Sequence, residues 1–230
     1  TYERLYVILA AVVLLSALWL FLRRSKFGWA LRACAQDREA AALQGNAEAQ
    51  FRFAMMLLDG VGVERDRDRA YEMMEAAAEA GHPLAQFNYA QVVLDRQPNL
   101  EGEERAMGYF RASADAGIAD AQYAMAQMYL AGVGRAEPDE AEARRWLEMA
   151  AGQNYDTAQI ELGTMLVEGA GGARDHKAGF AWLMRAAVAG NPAAQNRVAK
   201  LYRAGIGVEP DRVTAVAWYL RARRAGLVDP

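Results

Sequence analysis

From Gln50 onward, apolar residues return at helical spacing. With the glutamine of each Ala-Gln pair counted as zero, positions +3, +4 and +7 hold Phe53, Ala54 and Leu57, then Tyr89, Ala90 and Val93, then Met125, Ala126 and Tyr129. Leu162, Gly163 and Leu166 follow, and then Val198, Ala199 and Tyr202. Such spacing puts the apolar residues on one face of an α-helix. Position +4 is always Ala or Gly, which lets a neighbouring helix approach closely.

The pattern is a repeat. The pairs fall at Ala49-Gln50, Ala85-Gln86, Ala121-Gln122, Ala158-Gln159 and Ala194-Gln195, in steps of 36, 36, 37 and 36. A glycine stands four residues before each Ala (Gly45, Gly81, Gly117, Gly190), with Asn154 in that place in the fourth copy. Gly, and Asn as its usual substitute, end helices in the left-handed region. A turn follows each first helix: Gly60-Val61-Gly62, Gly132-Val133-Gly134, Gly169-Ala170-Gly171 and Gly205-Ile206-Gly207. It is not a phosphate loop, which needs a preceding strand and a following Lys-Ser or Lys-Thr. The second copy has Arg96-Gln97-Pro98 instead, so its turn must differ.

Asp66, Asp139, Asp175 and Asp211 then stand where a second helix starts and would accept bonds from its free amides. That helix carries a small residue (Ala70, Ala106, Ala143, Gly179, Ala215) three places before a large one (Met73, Tyr109, Trp146, Trp182, Trp218). Stacking the large residues from copy to copy is expected to build a continuous core. One unit cannot bury such a face alone, which is why arrays need several. The expectation is an all-α chain: a right-handed α-solenoid of five helix-turn-helix repeats (46–80, 81–116, 117–153, 154–189, 190–227), preceded by one transmembrane helix.

That leading helix rests on Leu5–Leu22, eighteen residues without a charge, at the lower edge for spanning a bilayer. Arg23, Arg24, Lys26 and Arg32 follow, while only Arg4 precedes. The basic flank predicts a single pass in a bacterial inner membrane with the repeats on the cytoplasmic side. A secretory signal has the opposite polarity. A signal anchor with a periplasmic array is the alternative, and a buried apolar helix is the plain one. Composition changes the picture little: 53% of residues are hydrophobic and 24% charged, as in ordinary folded proteins. A net charge of -3 argues against a nucleic-acid partner, and the single cysteine, Cys34, excludes an internal disulfide.

The repeats resemble the Sel-one-like repeat (SLR) class of tetratricopeptide-like solenoids. Gly45-Asn46-Ala47-Glu48-Ala49-Gln50, Gly205-Ile206-Gly207-Val208 and Ala217-Trp218-Tyr219 carry the resemblance over about 45–227. It implies a non-enzymatic adaptor that assembles protein complexes. Residues 6–45 are similar to the permease subunit of branched-chain amino acid ABC transporters, through the run Arg23 to Leu43. That family usually has Arg where Trp29 stands, and has several more membrane helices. The likeness implies at most one helix with its coupling segment, reached by a natural fusion or an artificial one; the alternative reading it gives is a fragment or fusion of such a permease, with the repeats as passengers. The two resemblances meet at Ala41 to Asn46. The segment 27–44 is therefore expected to form a helix capping the first repeat, with Phe27, Leu31, Cys34, Ala41 and Ala42 facing it.

Candidate chemistry is sparse. His82 and His176 lie in different repeats without a cluster of ligands, so they are read as surface turn residues and not as a metal site. Ser113 and Thr164 have no oriented base beside them, and no catalytic group or cofactor is expected. The methionines, such as Met55, Met56, Met73 and Met74, read as core filler. Glu140, Glu142, Arg144 and Arg145 read as a solvated helix face. Arg221, Arg223 and Arg224 fit either an acidic partner or the polar surface that ends an array. The binding surface is placed on positions +2 and +5 of the first helices, opposite the buried face. Its candidate partner-binding residues are Arg52, Asn88, Gln91, Gln127, Glu161, Thr164, Arg197 and Lys200. Stacked first helices usually line a concave side. A mixed polar row there suggests a protein or peptide ligand and no small-molecule substrate; plain solvent exposure explains the same residues.

Overall fold

The computed structural model describes residues 36–42, 44–134 and 137–226. The apolar stretch Leu5–Leu22, and Phe27, Leu31 and Cys34 of the expected cap, lie outside the described residues. No helix among the described residues is long and apolar enough to cross a membrane.

Ten helices follow a helical stretch at 36–42 among the described residues: α1 (Ala47–Asp59), α2 (Arg67–Glu79), α3 (Pro83–Arg96), α4 (Leu100–Asp115), α5 (Ala119–Ala131) and α6 (Glu140–Gly152). Then come α7 (Asp156–Glu168), α8 (His176–Val188), α9 (Pro192–Ala204) and α10 (Arg212–Arg224). Among the described residues there is no strand. The chain divides into two compact units, residues 1–89 and 90–230, with the boundary inside α3.

The expected caps are present. Asp66, Asp139, Asp175 and Asp211 each accept from a backbone N–H in the first turn of the helix that follows. Where the second copy lacks the glycine turn, Asn99 caps α4 and accepts from Gly102 N at 2.9 Å, giving a longer helix of 16 residues. Both glycines of each turn are left-handed, for example Gly205 at φ 68° and Gly207 at φ 72°. Asn154, at φ 69°, is the one non-glycine with positive φ among the described residues.

In the first unit α1 packs on α2, and Phe53, Leu57 and Ala70 form a core with Ala42. Ala42 is the end of the helical stretch 36–42, where a preceding repeat's second helix would end. The backbone closes there as it does after α2. Gly45 N donates to Ala42 O and Gly81 N to Ala78 O, both at 3.0 Å. Arg69 of α2 also pairs with Glu39.

In the second unit each helix from α4 to α10 packs on the next in chain order. Ile160, Leu183, Ala194, Val198 and Leu201 form one core shared by the last two pairs. Burying an aliphatic side chain of this size contributes roughly 1.5–3 kcal/mol.

The core differs from the expected one at one register position. The small residues of the second helices are all buried, but the large ones three places on are not its centre. Of these only Trp146 is buried, while Met73, Tyr109, Trp182 and Trp218 are half-buried. Arg221 lies over the Trp218 ring at 4.7 Å and Arg185 over Trp182 at 5.5 Å. In the first four repeats the residue after the large one does the core packing: Met74, Phe110, Leu147 and Leu183 are at most 3% exposed, while Tyr219 of the fifth is half-buried. An indole or phenol at the seam keeps one edge in water beside a cation, whereas the next position points directly between helices.

Candidate functional site

Three bonding patterns recur between neighbouring repeats, and they decide which first-helix side chains remain available. The first uses the Ala-Gln glutamine. Its side-chain amide donates to the carbonyl eight residues earlier, at the end of the preceding helix: Gln86 to Ala78 O (3.3 Å), Gln122 to Ala114 O (3.1 Å), Gln159 to Ala151 O (3.3 Å) and Gln195 to Ala187 O (3.1 Å). Each of these carbonyls also accepts the N–H of the left-handed residue that follows its helix, so the amide adds a second bond to the same oxygen and ties the two helices together.

The second pattern uses the glycine turn. Gly134 N donates to Glu103 Oε2 at 3.2 Å, and Gly171 N to Glu140 Oε2 at 3.1 Å. The turn thus seats on the start of the preceding repeat's second helix. A Cβ on Gly171 would fall 2.2 Å from Glu140 O, and one on Gly207 would fall 2.0 Å from His176 O. Close backbone approach, together with the left-handed turn, is why glycine stands there.

The third pattern lies on the first helices. Residue +5 of one repeat bonds residue +2 of the next. Gln127 Nε2 donates to Glu161 Oε2 at 2.6 Å, and Arg197 donates to the Thr164 hydroxyl. Thr164 Oγ1 in turn donates to Ile160 O at 2.7 Å. Four of the eight candidate partner-binding residues are therefore brought together in two inter-repeat pairs. Gln127, Glu161 and Thr164 are half-buried, not fully turned to solvent as the helical-wheel reading has it, because the neighbouring helix closes over one side of each. Arg197 and Lys200 are exposed, and Lys200 makes no such pair. Elsewhere, Arg52 pairs with Glu48 on its own helix, half-buried Asn88 donates to Leu84 O at 2.8 Å, and Gln91 is exposed.

The row includes tyrosines that the sequence reading passed over. Tyr123, at position +1, donates to Glu161 Oε1 at 2.7 Å and stacks on Tyr155 at 5.1 Å. Tyr155 is in turn hydrogen-bonded to Asp120. Burial, and then the carboxylate beside each, pushes both phenols above their ordinary range. The same clip holds the first repeat, where His82 stacks on Phe51 at 4.8 Å and bonds Glu48 at 2.7 Å. His82 is thus not the exposed turn residue expected: its side chain is 12% exposed. Hydrogen bonding to His82, and then to Arg52, holds the Glu48 carboxyl below its usual value. The signal was available in the spacing. Position −4 of one repeat meets positions +1 and −2 of the repeat before, as in His82 with Phe51 and Glu48, and Tyr155 with Tyr123 and Asp120. Among the described residues, no group of three or more His, Cys, Asp or Glu side chains could hold a metal ion.

A groove of about 570 Å³ lies between α9 and α10. Ala199, Ala215, Val216 and Tyr219 form its floor, with Asn196, Lys200, Arg203 and Arg212 around it.

The Sel1 repeat profile matches residues 47–82, 83–118, 119–155, 156–191 and 192–227, which takes in all ten helices. The chain belongs to the Sel1 repeat family. A Sel1 repeat protein from Oxalobacter formigenes is 33% identical, with a TM-score of 0.66, over 83% of this chain and 55% of that one. A protective antigen present in uropathogenic Escherichia coli strains, displaying an SLR fold, is 25% identical with a TM-score of 0.52, over 84% of this chain and 51% of that one. The chain thus spans about half the length of these two structures. No curated protein matches it. A second profile, the permease component of the branched-chain amino acid transport system, matches residues 1–62. It overlaps the first Sel1 repeat over 47–62, which fold as α1 and its turn. Sel1 repeat proteins are in general scaffolds for other proteins, and the fold is typically non-enzymatic.

Proposed function

We propose that this chain is a membrane-tethered adaptor whose first helices hold a protein or peptide ligand. The observation that carries the reading is the linked row Tyr123, Gln127, Glu161, Thr164 and Arg197, with Lys200 beyond it. Each side chain in the linked part is fixed by a neighbour in the adjacent repeat. A row already fixed in one geometry loses little side-chain freedom when a ligand bonds to it, and that favours affinity. The mixture of carboxylate, amide, hydroxyl and guanidinium suits the backbone and charged groups of a peptide. Arg52, Asn88 and Gln91 hold the equivalent sequence positions on the earlier repeats.

The tether is the Leu5–Leu22 segment. Its support is the uncharged run itself, the basic residues behind it and the permease match over 1–62. On this reading the segment passes once through a bacterial inner membrane with the repeats on the cytoplasmic side, and residues 27–45 cap the array. The burial of Ala42 against Phe53 and Leu57 favours that cap.

A photo-crosslinking amino acid at Gln127, with a matched one at Glu148 on α6, tests the ligand surface in membranes of the native host. The expected result is discrete adducts from position 127, absent from 148 and lost with Arg197→Glu. The same adducts from both positions would refute the row. Fractionation with Leu5–Leu22 deleted tests the tether separately: release from the membrane pellet is expected.

A further inference from the structure

We infer that the junction of the third and fourth repeats takes an arginine side chain of the partner segment, seated on Tyr123 and Tyr155 beside Asp120 and Glu161. This names the ligand chemistry of the first-helix row and rests on that reading. Two junctions carry the same kind of clip. In the first, Phe51 stacks on His82, and His82 bonds Glu48. Glu48 also pairs with Arg52, four residues further along α1, so this carboxylate has a cation of the chain's own. In the other, Tyr123 stacks on Tyr155, Tyr123 bonds Glu161 and Tyr155 bonds Asp120. Here Ala124 stands at the position of Arg52, and Glu161 at that of Asn88. The aromatic pair is kept, while one cation is lost and one carboxylate is gained. The remaining two junctions have no carboxylate at these places: they hold Leu84 and Ala124 in one, Thr157 and Arg197 in the other.

The donors that reach the two carboxylates are neutral: Tyr155 for Asp120, and Tyr123 with Gln127 for Glu161. No cation pairs with either carboxylate among the described residues. The place is interior to the array, since α5 packs on both α4 and α6, and α7 on both α6 and α8. Asp120 is exposed, and Tyr123, Tyr155 and Glu161 are half-buried, so an incoming side chain reaches them with every repeat in position. Two negative charges beside a pair of aromatic rings call for a cation. Arginine suits them better than lysine, because a planar guanidinium lies flat on a ring while its fork bonds a carboxylate beside it. The chain's own Arg185, over the Trp182 ring at 5.5 Å, shows the stacking half of this arrangement. Charge complementarity of this sort selects the partner more than it sets raw affinity.

The probes are two short blocked peptides, Gly-Ser-Arg-Ser-Gly and the same sequence with citrulline, the neutral isostere, in place of arginine. Each is titrated into the full chain in mild detergent, with ring-labelled tyrosine read by NMR. The arginine peptide should shift the Tyr123 and Tyr155 signals saturably, and the citrulline peptide should bind roughly fivefold more weakly or worse. Ala124→Arg gives the third repeat the cation that the first already has, and it should weaken the arginine peptide by a similar factor. Glu161→Gln should do the same, and circular dichroism checks that both variants keep their helices. Three results would each overturn the inference: no saturable shift at these rings, equal response to the two peptides, or an affinity that both variants leave unmoved. In native membranes the Gln127 adducts should also fade in the Ala124→Arg protein. Adducts that persist there would leave the first-helix row standing and overturn the arginine seat alone. No adducts from the unaltered chain would overturn the row, and the seat with it.

Discussion

Adding the same methyl group to two helical glycines should change stability in opposite directions. Gly108 lies in α4, exposed, with no heavy atom within 4 Å of where a Cβ would sit. Gly→Ala there removes backbone freedom from the unfolded chain and should stabilise by roughly 1 kcal/mol. Gly179 lies in α8 and faces Gly163 of α7. A Cβ on Gly179 would stand 2.7 Å from Gly163 O and 3.0 Å from Val167 N. Both are backbone atoms, so the two helices must separate. Forcing a methyl into such a contact costs roughly 1–3 kcal/mol. The propensity gain offsets about 1 kcal/mol of this, leaving Gly179→Ala neutral to about 2 kcal/mol destabilised. The difference between the two variants should therefore be about 1–3 kcal/mol. Urea unfolding, followed by both circular dichroism and tryptophan fluorescence, measures it. The two probes should be compared, because repeat arrays lose two-state behaviour as they lengthen. Ala stands at the positions of Gly163 and Gly179 in the other four repeats, so the sequence alone predicts that Gly179→Ala is harmless. A rise in midpoint equal to that of Gly108→Ala would refute the close-crossing argument.

The remaining predictions concern the turn and the two clips. Gly207→Ala should destabilise by about 2 kcal/mol or more, since φ is left-handed and the methyl meets His176 O. Gly190→Ala, left-handed but with open space around it, should lose only about 1 kcal/mol on the same unfolding assay. The lowered Glu48 carboxyl contributes stability that is present above its unfolded value and lost as pH falls through the folded one. Carboxyl NMR should show Glu48 titrating below other glutamates, and His82→Ala should move it upward; no movement would break the clip assignment. For Tyr123 the sign is opposite. Its raised value means that the contribution is whole below the ordinary tyrosine range and is lost as pH rises through the folded value. Ring-labelled NMR in alkaline titration should show Tyr123 ionising late, and Glu161→Gln should bring it earlier.

Helix positions, their caps and the left-handed Asn154 were legible because each depends on a few adjacent residues. Asp139 or Asn154 declares its role without reference to anything distant. The Ala-Gln pair was visible as a marker, but its job was not: the bond from Gln159 to Ala151 O appears only once a turn brings those residues together. The half-burial of Trp182 and Trp218 was hidden for a related reason. Helical spacing gives a face to within one position, and the choice between Trp182 and Leu183 for the core depends on the crossing of α8 with its neighbours. Candidate-site residues were legible as a register and not as a network. That Gln127 reaches Glu161 while Gln91 stays exposed follows from the partner at +2, which is Glu161 in one case and Ala124 in the other.

The glutamine clasp reaches back only eight residues, and the +5 to +2 bond reaches only into the adjoining copy. Every join is thus written within about one period of sequence. Unequal recombination that removes or adds whole periods would splice one clasp onto an equivalent one, with no long-distance contact to repair. The number of units in such a protein is free to drift while each junction stays sound.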